Sequence, residues 1–193
     1  MATEVSICAN ALRRLGDSPI TSLTEDTERA RLCNAFYAPA RDSVLRSHTW
    51  NFAITRATLA KSATTPAFEY AYQYPLPTDP YCLRVLKMEF DDYEFKIENL
   101  AGQGRVLLTD EGTANIIYIA KVTDPTLFDS MFVDVLTQKL AVDLAYPITN
   151  STTLQAQMQK VYEKKLSDAR SIDSIEGFTD SIVSDVFTDF RQP

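Results

Sequence analysis

The chain has 193 residues, of which 45% are hydrophobic and 23% are charged, a composition typical of a globular domain. A chain of this length buries roughly 70% of the surface that its unfolded form exposes. We therefore expect one compact domain, or one domain with a sizeable insertion, that folds without a disulfide or metal. The net charge of −7 argues against non-specific binding of nucleic acid, which relies on clustered lysine and arginine.

No apolar run approaches the roughly 18 residues that a transmembrane helix needs, and the N-terminal residues lack the pattern of a signal peptide. We expect no membrane association, and synthesis in a reducing cytoplasm. The cysteines Cys8, Cys33 and Cys82 are widely spaced and form no CxxC pair. We interpret them as small buried hydrophobic residues.

Two amphipathic helices are predicted at the start of the chain. Apolar residues at spacings of three and four indicate a helix over 3–15, which Thr3 can cap and Gly16 can terminate. Thr24 is the predicted N-cap of the second helix, because the acidic residues after it favour the positive end of the helix dipole. Pro39 lies inside the apolar pattern of this helix and should kink it or divide it in two.

The middle of the chain has the alternation and the β-branched and aromatic residues of strands. Strands are predicted near 70–75 and 83–90, with an irregular proline-rich connection between them. The segment "AGQG" joins 93–100 to 104–112 and predicts a hairpin. The β-branched run over 115–122 predicts the last strand.

Helical patterns return after the strands. Asp124 is a predicted N-cap with Pro125 at the first helical position, and the apolar face continues to Pro147. A last long helix is predicted over 150–172, and the short connection before it makes the two helices antiparallel neighbours. The predicted fold class is α+β, an α-helical bundle with an inserted antiparallel β-rich domain and an extended C-terminal segment. Its parts are the bundle over 1–52 and 123–172, the insertion over 53–122, and the C-terminal segment over 173–193.

The motifs of common catalytic sites are missing from the sequence: there is no P-loop, dinucleotide-binding glycine motif, zinc-protease motif or serine-hydrolase motif. One histidine cannot build a multi-histidine metal site, and the cysteines lack the spacing of zinc ligands. The carboxylates over 89–98, with Asp110 further off, lack the ligand order and glycine of a calcium loop, so we interpret them as a solvated strand–turn–strand. We therefore predict no catalytic residue, no cofactor and no metal.

The only histidine and the only tryptophan, His48 and Trp50, lie where the second helix should end and the first strand should begin. We expect Trp50 to bury its ring under this junction. His48 has no acid, base or metal partner nearby in the sequence, so we expect it to face the negative end of the helix dipole or to cap a carbonyl. A nucleophilic pair of Cys8 or Cys33 with His48 is the catalytic alternative, but no local signature supports it.

Two segments of the chain resemble one known family. The first, at 7–53, reads "ICANALRRLGDSPITSLTEDTERARLCNAFYAPARDSVLRSHTWNFA". It resembles the N-terminal region of the head-to-tail adaptor proteins of short-tailed bacteriophages, also called tail tubular protein A. The second, at 72–88, reads "YQYPLPTDPYCLRVLKM" and resembles the tyrosine- and proline-rich strand region of these proteins. The layout agrees over about 1–172, and the final twenty residues have no specific similarity.

The resemblance implies a structural virion protein of the phage neck, made in the host cytoplasm, and not an enzyme. Family members form a homo-oligomeric ring, commonly a dodecamer, between the portal protein and the tail nozzle protein, and DNA passes through it. Tail fibres are a further candidate partner, and we expect neither specific DNA binding nor a membrane. The family fold agrees with the outline above, and Trp50 and Phe52 would anchor the crossing from bundle to insertion. Two other classes remain open: another head-completion or tail-terminator component, and a cytoplasmic enzyme without a recognisable motif.

Within such a ring we expect basic and acidic side chains of neighbouring subunits to pair, setting register more than affinity. These are Arg13, Arg14, Arg29 and Arg31, with Glu25, Asp26 and Glu28.

Apolar residues recur at intervals of three and four over 171–193, which is typical of an amphipathic helix. One interpretation is a final helix packed on its own bundle. Because similar adaptors reach the portal with this segment, we predict docking there, with its carboxylates meeting basic portal residues. The predicted anchors are Ile182, Val186, Phe187 and Phe190.

Overall fold

The structure is a computed structural model that describes residues 2–100, 102 and 104–176. In these residues, two α-helices precede six β-strands and two further α-helices follow them. The helices are α1 Glu4–Arg14, α2 Glu28–Ser47, α3 Ser130–Thr149 and α4 Thr152–Glu176. The strands are β1 Ile54–Leu59, β2 Tyr72–Pro75, β3 Cys82–Met88, β4 Lys96–Leu100, β5 Gly104–Thr109 and β6 Ala114–Ala120.

The first helix begins and ends as predicted. Thr3 forms a reciprocal capping box with Ser6, and Gly16 has a φ of 77°, the left-handed conformation that favours glycine after a helix. The second helix differs from the prediction, because its N-cap is Thr27 and not Thr24. The carboxylate of Glu25 accepts hydrogen bonds from the Thr21 and Ser22 amides, which closes a loop over 21–25 at the place where the helix was predicted to begin.

The proline inside α2 does not divide the helix, which is continuous over its 20 residues. Pro39 itself is exposed, whereas Tyr37 and Ala40 on either side of it are buried against the rest of the bundle. Packing of this face therefore keeps the helix whole although one backbone hydrogen bond is lost.

The insertion consists of two three-stranded antiparallel sheets, with strand orders β1-β6-β3 and β2-β5-β4. The predicted hairpin is confirmed, since β4 pairs with β5 and Leu100 lies opposite Gly104. The two sheets enclose a second apolar core, formed by Leu59, Tyr74, Leu76, Cys82, Val85, Met88, Leu107, Ala114, Ile116, Tyr118 and Ala120.

The third helix starts later than predicted. Asp124 caps only a short 3-10 turn, whereas the side chain of Asp129 accepts from the amides at the start of α3. The helix then continues through Pro147 and ends at Asn150, which has a φ of 51°. Gln138 bonds to Met158 and Asp134 pairs with Lys165, so α3 and α4 are antiparallel, as predicted.

The central helix of the bundle is α3, which packs against α1, α2 and α4. Its buried residues surround the helix instead of forming one stripe, which is typical of a helix enclosed by neighbours. Leu83 and Ile119 of the insertion join this helical core. The α+β fold class is therefore confirmed for the described residues. The predicted C-terminal segment begins inside α4, which extends to Glu176.

Candidate functional site at the bundle–insertion junction

Trp50 is fully buried at the point where the chain leaves the bundle. Its ring meets Phe132 of α3 edge to face, with the centroids 5.2 Å apart. Its indole Nε1 donates to the carbonyl of Val44 at 2.9 Å, which satisfies an acceptor in the last turns of α2. The residue therefore closes the end of α2 and fills the space between α2 and α3.

Phe52 extends this aromatic cluster toward the insertion. Its ring lies 5.0 Å from Phe132, 5.9 Å from Phe128 and 6.3 Å from Trp50, measured between centroids. The two predicted anchor residues thus pack on the same part of α3, directly before β1.

His48 has a partner that sequence reasoning missed. Its Nε2 lies 3.0 Å from one carboxylate oxygen of Asp173, and the other oxygen accepts the backbone N–H of Asn51 at 3.1 Å. The side-chain amide of Asn51 donates to the Asp173 carbonyl at 2.7 Å. Arg170, one turn earlier in α4, donates to the carbonyl of Ser47 at 2.8 Å. We call these four hydrogen bonds the α4 clasp.

A signal for this contact exists in the sequence. Asp173 continues the spacing of Leu166 and Ala169, which face the bundle from α4, so it is a charged residue at a core-facing position. Only 8% of its surface is exposed, and a buried carboxylate needs partners. The sequence did not indicate which residues would provide them.

The electrostatics of the junction favour a neutral imidazole. Burial lowers the pKa of His48, and the hydrogen bond and charge of Asp173 oppose this shift without reversing it. The charges of Arg170 and Arg84 lower this pKa further. The Nε of each arginine is buried without a hydrogen-bond partner in the described part of the chain. Because a carboxylate only accepts, the His48 Nε2–H donates to Asp173.

The basic side chains predicted at a subunit interface pair within the chain. Arg14 of α1 binds Asp134 and Gln138 of α3, so its guanidinium group is already paired inside the helical bundle. The remaining basic residues pair locally: Arg13 with Asn10, Arg29 with Asp17, and Arg31 with Asp26. Arg31 and Asp26 are well exposed, and Glu28 lies on the surface. The carboxylate of Glu25 accepts a hydrogen bond from the Thr21 amide within its own loop. The portal-docking residues Ile182, Val186, Phe187 and Phe190 lie outside the described residues.

The acidic segment after β3 makes ordinary surface contacts. Lys87 pairs with Asp91 at 2.9 Å, Lys96 pairs with Glu98 at 3.1 Å, and Asn115 donates to Glu89 at 2.6 Å. Within 2–100, 102 and 104–176, no group of three histidine, cysteine, aspartate or glutamate residues is arranged to hold a metal ion.

The sequence matches no protein-family model, and no curated protein is significantly similar to it. Among the helices of the described residues, none has the length and apolar character needed to cross a membrane.

Proposed function

We propose that this protein is a head-to-tail adaptor of a short-tailed bacteriophage, which assembles into a ring between the portal protein and the tail nozzle protein. The observation that carries the proposal is the place of the resembling residues in the fold. The segment 7–53 forms α1, α2 and the junction, and its last residues, "HTWNFA", contact α3 through Trp50 and Phe52 and α4 through His48 and Asn51. These residues join three elements of the fold, which is the structural role that the resemblance implies for Trp50 and Phe52.

The negative net charge of the chain supports a role in which DNA passes through the ring without being bound by it. At −7 per subunit, a ring repels phosphates, whereas a basic groove would hold the genome with strong salt dependence. No catalytic residue, cofactor or membrane is part of the proposal.

Native mass spectrometry of the full chain, alone and with its cognate portal protein, tests the proposal. We expect a large homo-ring, or a monomer that assembles into a ring on the portal. A ring that forms without the portal and does not bind it would indicate another ring-forming component, such as a tail terminator, instead. A stable small oligomer that ignores the portal would contradict any adaptor role.

A further inference from the structure

The last two turns of α4 are attached to the fold differently from the rest of this helix. Up to Ala169, α4 packs on the bundle through apolar residues, including Met158, Tyr162 and Leu166. Beyond Ala169 its apolar residues point away, since 43% of Ile172 and 81% of Ile175 are exposed.

Between Arg170 and Ile175, the one buried residue is Asp173, and the α4 clasp joins these turns to the end of α2 and the start of the insertion. Water can replace hydrogen bonds when such a contact opens, so their net contribution is far smaller than that of buried apolar area. Up to Ala169, apolar contacts hold α4 on the bundle, and beyond Ala169 the hydrogen bonds of the α4 clasp hold it.

We propose that the α4 clasp is a latch that opens as one unit while the helical bundle stays folded. Asp173 is its positioning residue, because it binds the His48 ring and both the backbone and side chain of Asn51. Closed, the latch fixes the direction in which the chain leaves α4. Open, it frees residues 170–176 and exposes to water the Nε2 edge of the His48 ring, which faces Asp173 when the latch is closed.

The latch does not depend on the proposed adaptor role, although its use in assembly does. In an adaptor, the chain beyond α4 would reach the portal from the point that the latch fixes. All measurements below are made on the free full-length protein, so their failure is distinct from a failure to bind the portal.

Native-state hydrogen exchange of the wild-type protein provides the first test. A latch predicts that the amides of 170–176 share one opening free energy, with exchange, corrected for the intrinsic rate of each amide, about 100-fold faster than that of 158–166. A frayed helix end would give rates that rise gradually toward Glu176, and an integral end would exchange together with the body of α4. Either result would overturn the proposal.

Substitution of the positioning residue provides the second test. Asp173→Ala should speed exchange of 170–176 by a further tenfold or so, with exchange of 158–166 unchanged. Asp168→Ala, an exposed aspartate in the same helix, is the matched control and should change neither. Asp173→Leu, which has a side chain of similar size that cannot accept a hydrogen bond, replaces the alanine variant if that variant does not fold. Equal effects of Asp173 and Asp168 variants, or acceleration that spreads through α3, would contradict a separable latch.

Discussion

The indole N–H of Trp50 donates to the carbonyl of Val44, six residues earlier in the chain, at 2.9 Å. A fully buried aromatic ring thus also ends the helix that precedes it. Packing and hydrogen bonding at this position can be separated by substitution, because phenylalanine preserves most of the ring contact and cannot donate.

Trp50→Ala should lower the free energy of unfolding by about 3–5 kcal/mol, the range for deletion of a large buried aromatic side chain. Trp50→Phe should cost about 1–2 kcal/mol, because the indole hydrogen bond and part of the ring contact are lost while the Ser47 hydroxyl still donates to the Val44 carbonyl. His48→Gln should cost less than Trp50→Ala, since a glutamine amide can still donate to Asp173. Urea denaturation of the three variants measures these values, and a nearly neutral Trp50→Ala would refute the anchor role.

The stability of the protein should decrease as the pH falls from about 7 to 5. The pKa of His48 is lowered in the folded state, whereas the unfolded chain has the usual value of about 6.5 and takes up the proton first. His48 is the only histidine, and carboxyls with lowered pKa, such as Asp134, reduce stability mainly below about pH 5. Urea denaturation from about pH 5.5 to 7.5, between the carboxyls and the buried Cys82 thiol with its raised pKa, should give a slope for the wild type and none for His48→Gln. The same slope in both proteins would mean that another group titrates.

Asp134 should be the most important carboxylate of the bundle, because it accepts from Arg14 of α1 and Lys165 of α4. Asp134→Ala should cost about 1–2 kcal/mol, a modest value because the network is partly solvated. Asp143→Ala, on the same helix, breaks only the pair with Lys139 one turn earlier and should cost about 0.5 kcal/mol or less. Equal costs in thermal or urea unfolding would show that Asp134 does not join the three helices.

Local signals in the sequence predicted the elements that depend on neighbouring residues. The Thr3 cap and the "AGQG" hairpin are determined within a few positions, and both occur as predicted. The start of α2 was missed because Thr24 and Thr27 can both cap a helix, and the Glu25 carboxylate decides between them. The pairing of His48 with Asp173 spans 125 positions and depends on the length and register of α4, which periodicity alone does not specify.

The protein should not bind duplex DNA with measurable affinity. Its net charge is −7, and Arg14, one of the basic residues considered for an interface, is committed to the bundle. Fluorescence anisotropy with a labelled duplex at about 0.15 M salt should give a dissociation constant weaker than about 10⁻⁴ M. Micromolar binding, especially if it weakens steeply with salt, would contradict passive passage of DNA.

The C-terminal residues should be required for attachment to the portal and dispensable for folding. Deletion of 177–193 keeps α4 and the α4 clasp, and it removes Ile182, Val186, Phe187 and Phe190 together with neighbouring carboxylates. We expect the truncated protein to unfold at the same urea concentration as the full chain but to lose co-sedimentation with portal-bearing capsids. Apolar anchors in an amphipathic segment bury their side chains on the partner, so they should account for most of this loss.

A full-length variant with serine at the four anchor positions separates the apolar contribution from the charges. It should lose attachment nearly as completely as the truncation, whereas neutralising Asp180, Asp185 and Asp189 should weaken attachment mainly at low salt, where carboxylates attract a basic surface most strongly. If the truncated protein binds capsids at the wild-type affinity, the portal contact lies elsewhere on the subunit. If truncation lowers the unfolding midpoint instead, the segment packs on its own bundle.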